Sequence, residues 1–269
     1  MDRVAKDGAF AQGAIVIALA TLLYLYLLFP ILIIAPMSFG NRVELVFPPA
    51  HYSLDLYRDY FGSQDWLLVT YRSARIAVLA SMIAMLAGVP GAYALARTEF
   101  PGKRILVLFI MSPMLVPLVV ISLGLYLYYL RISLSGTVTG LVLAHAMYSV
   151  PFVVLTVRAG IEQLDERLER AAVIMGARYF RVFREVVLPQ LSPSLVSAAL
   201  FAFLMSFDEV VIAWFITGPT TMTLPVKMYS SIRWESAPVL AAIATILTVL
   251  SIVISLVGVA LTRSRAAPK

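Results

Sequence analysis

GAIVIALATLLYLYLLFPILIIAPM, residues Gly13 to Met37, carries no charged side chain over 25 residues. As a helix it rises about 37 Å, more than the roughly 30 Å hydrocarbon core of a bilayer. It is too long for the apolar region of a signal peptide, and no small-residue cleavage site follows it, so the run is expected to be a retained membrane span. Five further apolar runs of spanning length follow: Ser73–Ala96, Ile105–Leu130, Gly136–Val157, Pro193–Thr217 and Pro238–Thr262. The expected fold is therefore all-α and polytopic, with six transmembrane helices.

The composition of the whole chain agrees. Of its 269 residues 61% are hydrophobic and 13% charged, with a mean hydropathy of +0.91. Soluble domains are about half apolar and a quarter charged. Cysteine is absent, which excludes disulfides, thiolate catalysis and thiolate-bound metal. The net charge of +6 sits in short loops between apolar runs, a pattern of membrane topology rather than of nucleic-acid binding. Prolines recur within the spans, at Pro30, Pro36, Pro90, Pro113, Pro117 and Pro151. Each is expected to kink its helix, with neighbouring helices satisfying the freed carbonyls. Ala74, Ala77, Ala80, Ser81, Ala84, Ala87, Gly88 and Gly91 make the second span a surface for close helix approach.

Orientation follows from lysine and arginine. Fourteen basic residues fall on one side: Arg3 and Lys6; Arg97, Lys103 and Arg104; six arginines between Arg158 and Arg184; and Arg263, Arg265 and Lys269. Seven fall on the other, mostly in longer loops. The richer side is expected to be cytoplasmic, which puts both termini inside and agrees with an even number of spans. The resulting division is a cytoplasmic segment 1–12, a first span 13–37, an outside loop 38–72, a core 73–262 with a cytoplasmic loop 158–190, and a cytoplasmic tail 263–269.

That loop is too patterned for a simple turn. Ile161, Leu164, Leu168, Ala171, Ala172 and Met175 fall at helical spacing as one apolar stripe, with Glu162, Asp165, Glu166, Arg167, Glu169 and Arg170 around it. Gly176 interrupts the pattern as a helix-ending glycine does. A second amphipathic run, Tyr179–Val187, is expected to stop at Leu188-Pro189. By spacing alone, the element is either a rigid lever or an amphipathic segment lying at the headgroups.

Arg170-Ala171-Ala172, three residues, Gly176, nine residues, then Val186-Val187-Leu188-Pro189 resembles the EAA loop of ABC importer permeases, Glu-Ala-Ala-x3-Gly-x9-Ile-x-Leu-Pro. Both alanines, Gly176, Leu188 and Pro189 match in register. Arg170 departs from the pattern, standing where the family has glutamate, with Glu169 one position earlier. Gly91-Ala92-Tyr93-Ala94-Leu95-Ala96-Arg97, Ser149-Val150-Pro151-Phe152-Val153-Val154, Ser206-Phe207-Asp208-Glu209-Val210-Val211, Gly218-Pro219 and Thr223-Leu224-Pro225 extend the likeness from about residue 71 to 262. The last group is most similar to the second permease of spermidine/putrescine-type importers. The resemblance implies a type I importer permease fold in the bacterial inner membrane. It implies that Glu169, Arg170, Ala171, Ala172, Gly176, Leu188 and Pro189 couple the chain to an ATPase dimer. It also implies a second permease subunit, a periplasmic solute-binding protein, and a substrate that is a polyamine, an opine or another small amine or amino-acid derivative.

Asp208 and Glu209 are the only acids inside an expected span. Carboxylates at membrane depth face protein or water. Adjacent helical residues point about 100° apart, so one acid is expected to face a translocation path and the other a neighbouring helix or an arginine such as Arg75. The alternative is that the acids only fix the bundle. Phe207, Trp214 and Tyr229 are candidate path residues or interfacial anchors. His145 is expected to be a satisfied packing histidine. The outside loop, with Tyr52, Tyr57, Tyr60, Trp66, Asp55, Asp59 and Asp65, is either a contact for a binding protein or an interfacial segment.

No phosphate-cradling Gly-x-x-x-x-Gly-Lys-Ser/Thr loop occurs in the chain, nor any catalytic or metal-ligand spacing. The chain is expected to be no enzyme and to carry no cofactor, with ATP and magnesium held by the partner ATPase. An ATP-independent secondary transporter, the competing class, would more often show an inverted repeat or paired intramembrane charges.

Overall fold

The computed structural model describes the backbone of residues 2–42, 45–234 and 237–266, and the side chains of 16–42, 45–234, 237–258 and 260. The terminal charges Arg3, Lys6, Arg263, Arg265 and Lys269, used above for orientation, lie outside the described side chains. Every regular element among the described residues is helical.

The chain divides into two compact units, Met1–Ser63 with Ser236–Leu250, and Gln64–Glu235 with Ser251–Lys269. In the first, α1 (Asp2–Met37) is exposed on all sides from Val16 to Phe29, as suits a helix solvated by lipid. Past its end, the buried Ser38 hydroxyl meets the Ala35 carbonyl at 2.6 Å and the Tyr57 hydroxyl at 2.7 Å. Tyr57 belongs to α2 (Asp55–Gly62), from which Asp59 also receives a two-pronged bond from Arg42 at 2.8 Å. The expected outside loop 38–72 is thus not all loop. It contains α2, and the next helix begins at Gln64.

The second unit contains α3 (Gln64–Arg97), α4 (Lys103–Leu115), α5 (Leu118–Arg131), α6 (Val138–Glu162), α7 (Glu166–Ile174), α8 (Tyr179–Val182), a π turn (Phe183–Val187), α9 (Leu188–Gln190), α10 (Ser192–Phe207), α11 (Val211–Ile216) and α12 (Leu224–Trp234). The last helix, α13 (Val239–Ala266), passes from the first unit to the second after Leu250. Helices α3, α6 and α10 pack on one another through Ala84, Ala92, Val153, Val157, Ala198 and Ala202. Within lipid, close packing of small side chains replaces the hydrophobic drive. Gly88 is the closest case: a Cβ there would sit 2.6 Å from Val153 Cγ1.

Four segments are long and apolar enough to cross a membrane: Val16–Met37, Gln64–Arg97, Val138–Glu162 and Val239–Gly258. Two bent pairs bring the number to six if each is one span. In the third expected span the chain turns by 103° between α4 and α5. Val116, held extended at ψ 136° before Pro117, cannot continue α4. Pro90 and Pro151, in contrast, lie inside unbroken helices.

The fifth expected span, Pro193–Thr217, is not one helix. α10 ends at Phe207 and α11 starts at Val211. At the other end α10 meets the Tyr179–Gln190 helix at 78°. Pro189 does not stop that helix, as the sequence suggested. It has no N–H for the Glu185 carbonyl and its ring crowds that carbonyl, and the preceding turn widens to π, with Leu188 N–H donating to Phe183 O. The stop comes later, at Leu191.

Candidate functional site

Between α6 and α10 the chain forms a helix–turn–helix whose apolar tip is exposed. Asp165 opens α7, its carboxylate accepting from Arg167 N–H at 2.9 Å. Gly176 closes it with φ +88°. Gly176 N–H reaches Val173 O at 2.9 Å and Ala177 N–H reaches Ala172 O at 3.0 Å, the paired bonds of a Schellman end. Only a residue at ease with positive φ closes the helix this way without strain. Beyond the turn α8 begins at Tyr179.

The stripe read from spacing does not face one way. Ile161, in α6, is buried, and after the break between α6 and α7 only Ala172 of the stripe is buried, with Leu168, Ala171 and Met175 exposed. The break separates Ile161 from the rest of the stripe, and the remainder, on α7, is mostly uncovered in this chain alone. Around Gly176 the exposed side chains are Ile174 at 86%, Met175 at 81%, Tyr179 at 79% and Phe180 at 74%. Leu188 is half-buried and Pro189 exposed.

Arg170 and Glu169 point differently. The Arg170 side chain is 68% exposed, and its guanidinium lies 3.5 Å from Glu166 on its own helix. Glu169 is only 13% exposed. Its Oε2 accepts from Tyr93 OH at 2.8 Å and its Oε1 from Arg97 Nε at 2.9 Å. A cavity of about 430 Å³ lies beside this cluster, lined by Tyr93, Arg97, Arg170, Ile174 and Tyr179 among others.

The second place where polar chemistry collects is the break after α10. Asp208 caps α10 through its backbone, donating N–H to Leu204 O at 3.0 Å. The next side chain, Glu209, is buried and folds over the start of α11. Its oxygens accept from Val211, Ile212 and Ala213 N–H at 2.8, 2.9 and 2.9 Å. A carboxylate at a helix N-terminus satisfies amides that have no partner within the helix and meets the positive end of the dipole. Glu209 Oε2 is also 3.7 Å from His145 Nε2, so its neighbour is a histidine of α6 rather than Arg75.

His145 is not fully satisfied. Nδ1 bonds Ser206 Oγ at 2.8 Å, but Nε2 has no hydrogen-bond partner among the described residues. The expectation of two helical acids 100° apart also gives way, because the pair sits where the helix is interrupted. Asp208 is exposed, with no side-chain hydrogen bond or ion pair among the described residues.

The aromatic candidates separate into two pairs. Phe207 stacks on Phe203 with centroids 5.6 Å apart. Trp214 and Tyr229 meet edge to face at 5.1 Å, and Arg233 donates to the Tyr229 hydroxyl at 3.1 Å. Nearby on the same stretch of chain, the Lys227 ammonium lies 4.5 Å over the Trp66 ring and 3.7 Å from Asp65. This joins α12 to the first turn of α3.

Sequence reasoning missed Arg97, Tyr93 and Glu166 as members of the loop's support, and Ser206 as the partner of His145. The first three carried a signal: Tyr93 and Arg97 are four apart on one helix face, and Glu166 and Glu169 three apart on another. Ser206 carried none, because a single serine in an apolar helix has no spacing that marks it as the partner of His145.

Residues 80–266 match the family described as binding-protein-dependent transport system inner membrane component. The spermidine/putrescine transport system permease protein PotC of Escherichia coli is 30% identical over 91% of this chain and 92% of its own. The putrescine transport system permease protein PotI of the same organism is 31% identical over 87% of this chain and 84% of its own. A bacterial ABC transporter for import of the acidic polysaccharide alginate superposes with a TM-score of 0.70 over 95% of this chain and 96% of its own, at 18% identity. The all-helical fold, the in-register loop and the family match over most of the chain lead to one conclusion: the chain is a membrane permease subunit of the binding-protein-dependent transport family.

Proposed function

We propose that this chain is one of two permease subunits of an ATP-driven importer for a small cationic solute of the polyamine type. It crosses the bacterial inner membrane six times, each bent pair counting as one span, with both termini in the cytoplasm. A periplasmic binding protein delivers the solute. An ATPase dimer, which holds ATP and magnesium, docks on the loop 158–190. The chain itself catalyses no reaction.

The observation that carries this reading is the exposed tip around Gly176. Ile174, Met175, Tyr179 and Phe180 are presented on a rigidly capped turn, and water alone is a poor solvent for such a cluster. A groove in an ATPase would cover it. Closure of the ATPase dimer on ATP would draw the docked turns together and open the permease pair outward; hydrolysis would reset it. Ala171, Ala172, Gly176, Leu188 and Pro189 shape the element. Arg170 supplies a cation at its surface.

The substrate class draws on the polyamine relatives and on Asp208. Glu209 has its lone pairs engaged by backbone amides, which leaves Asp208 as the acid with a free carboxylate to attract a cation. Trp214 and Tyr229 offer an aromatic face for the methylene chain of such a solute. Calorimetry of the cognate binding protein against polyamines, opines and amino acids tests the substrate. Micromolar or tighter binding of a polyamine supports it, and binding confined to an anionic or neutral solute overturns it.

A further inference from the structure

The guanidinium of Arg97, at the end of α3, contacts three separate parts of the loop. Nε donates to Glu169 Oε1 at 2.9 Å, and NH2 lies 2.8 Å from the same oxygen. NH1 donates to Glu166 Oε1 at 2.9 Å. NH2 also meets the carbonyls of Ile161 and Leu164 at 3.1 and 3.4 Å, at and just beyond the end of α6. The Arg97 side chain is 12% exposed. Tyr93, one turn earlier, holds the other Glu169 oxygen at 2.8 Å.

Apolar packing offers α7 little else. Ala172 is its one buried residue among those described. The cavity of about 430 Å³ opens between α7, α8 and the end of α3, where a packed interface would otherwise be. Across this gap α7 itself meets α3 through a charged, several-pronged hydrogen-bond set, which resists both pull and push, while apolar packing reaches α3 only from the following π turn, through Phe183 on Tyr93 at 4.9 Å.

We infer that Arg97 is a positioning residue for energy coupling: with Tyr93 it clasps Glu169 and Glu166, and through that clasp the movement of α7 is passed into α3 and α6. The inference rests on the reading of the loop as an ATPase-coupling element. It gives Glu169 an inward role as a strut, and leaves Arg170 to face the partner.

The test uses the full transporter, with its ATPase, second permease and binding protein, in membrane vesicles. Copurified ATPase, ATP hydrolysis and solute uptake are measured for wild type, Arg97→Ala, Glu169→Gln and Tyr93→Phe. The expected result is normal copurification, continued hydrolysis and at least a tenfold loss of uptake per ATP for Arg97→Ala. A double variant, Arg97→Ala with Glu169→Gln, should couple no worse than the worse single variant, since both cut one link. Uptake per ATP within twofold of wild type overturns the clasp, as does loss of the ATPase from Arg97→Ala alone, which would make Arg97 a docking residue. If Arg97→Ala does not accumulate, Tyr93→Phe decides: a several-fold loss of uptake per ATP supports the clasp and none refutes it. Failure of the wild-type chain to copurify an ATPase would instead remove the underlying coupling reading.

Discussion

Glu209 Oε2 lies 3.7 Å from His145 Nε2 while both oxygens of the same carboxylate hold the first amides of α11. A buried acid at the junction of α10 and α11 therefore serves the fold. Glu209→Ala should leave those amides without acceptors, at a cost of about 1–3 kcal/mol for each one left unsatisfied. Glu209→Gln keeps one oxygen and should be milder. Thermal unfolding in detergent should rank wild type above Glu209→Gln above Glu209→Ala. Equal midpoints for all three would remove the capping role.

Asp208 is the contrasting case. Its carboxylate has no side-chain partner among the described residues, so Asp208→Asn should unfold at the wild-type temperature. Uptake of a cationic solute should fall several-fold, chiefly through a higher KM. A change in stability with no change in uptake would make Asp208 a packing residue.

Gly88 sets the distance between α3 and α6. Gly88→Ala places a methyl 2.6 Å from Val153 Cγ1, and should cost about 1–3 kcal/mol through overpacking. Val153→Ala should relieve it. A double variant more stable than Gly88→Ala alone is the expected outcome of melting experiments, and simple additivity would contradict the contact.

Gly176 has open space around the position of a Cβ but a φ of +88°. Gly176→Ala should cost roughly 1–2 kcal/mol in the turn and only weaken uptake. Gly176→Pro cannot adopt that φ and loses the N–H to Val173 O. It should insert normally and fail to transport. Uptake at the wild-type rate in Gly176→Pro would show that the capped turn is not a lever.

The sequence made the membrane class, the helical content and the loop legible, because apolar runs of spanning length and a fixed register of Ala171, Ala172, Gly176, Leu188 and Pro189 are local signals. A kink near Pro117 was legible from the proline, but a full break there, and the break at Asp208-Glu209, were not. Hydropathy averages over Val116-Pro117 and over Asp208-Glu209 alike, yet backbone geometry ends one helix and a side chain starts another there. The direction of Glu169 was also out of reach. It depends on where the end of α3 lies, 72 residues away in the chain from Arg97 to Glu169.

The proposed seating of the Gly176 tip in an ATPase is open to a direct test. The chain has no cysteine, so Met175→Cys provides a single thiol at an exposed tip position. In membranes containing the whole transporter, a short reagent with one thiol-reactive and one photoreactive end, attached to Met175→Cys and then illuminated, should join it to the ATPase subunit, and cross-linking should arrest uptake. A thiol at Tyr52, also exposed but in the loop proposed to lie outside, should give no such product. Absence of the ATPase cross-link from Met175→Cys in a transporter that still imports solute would contradict the account.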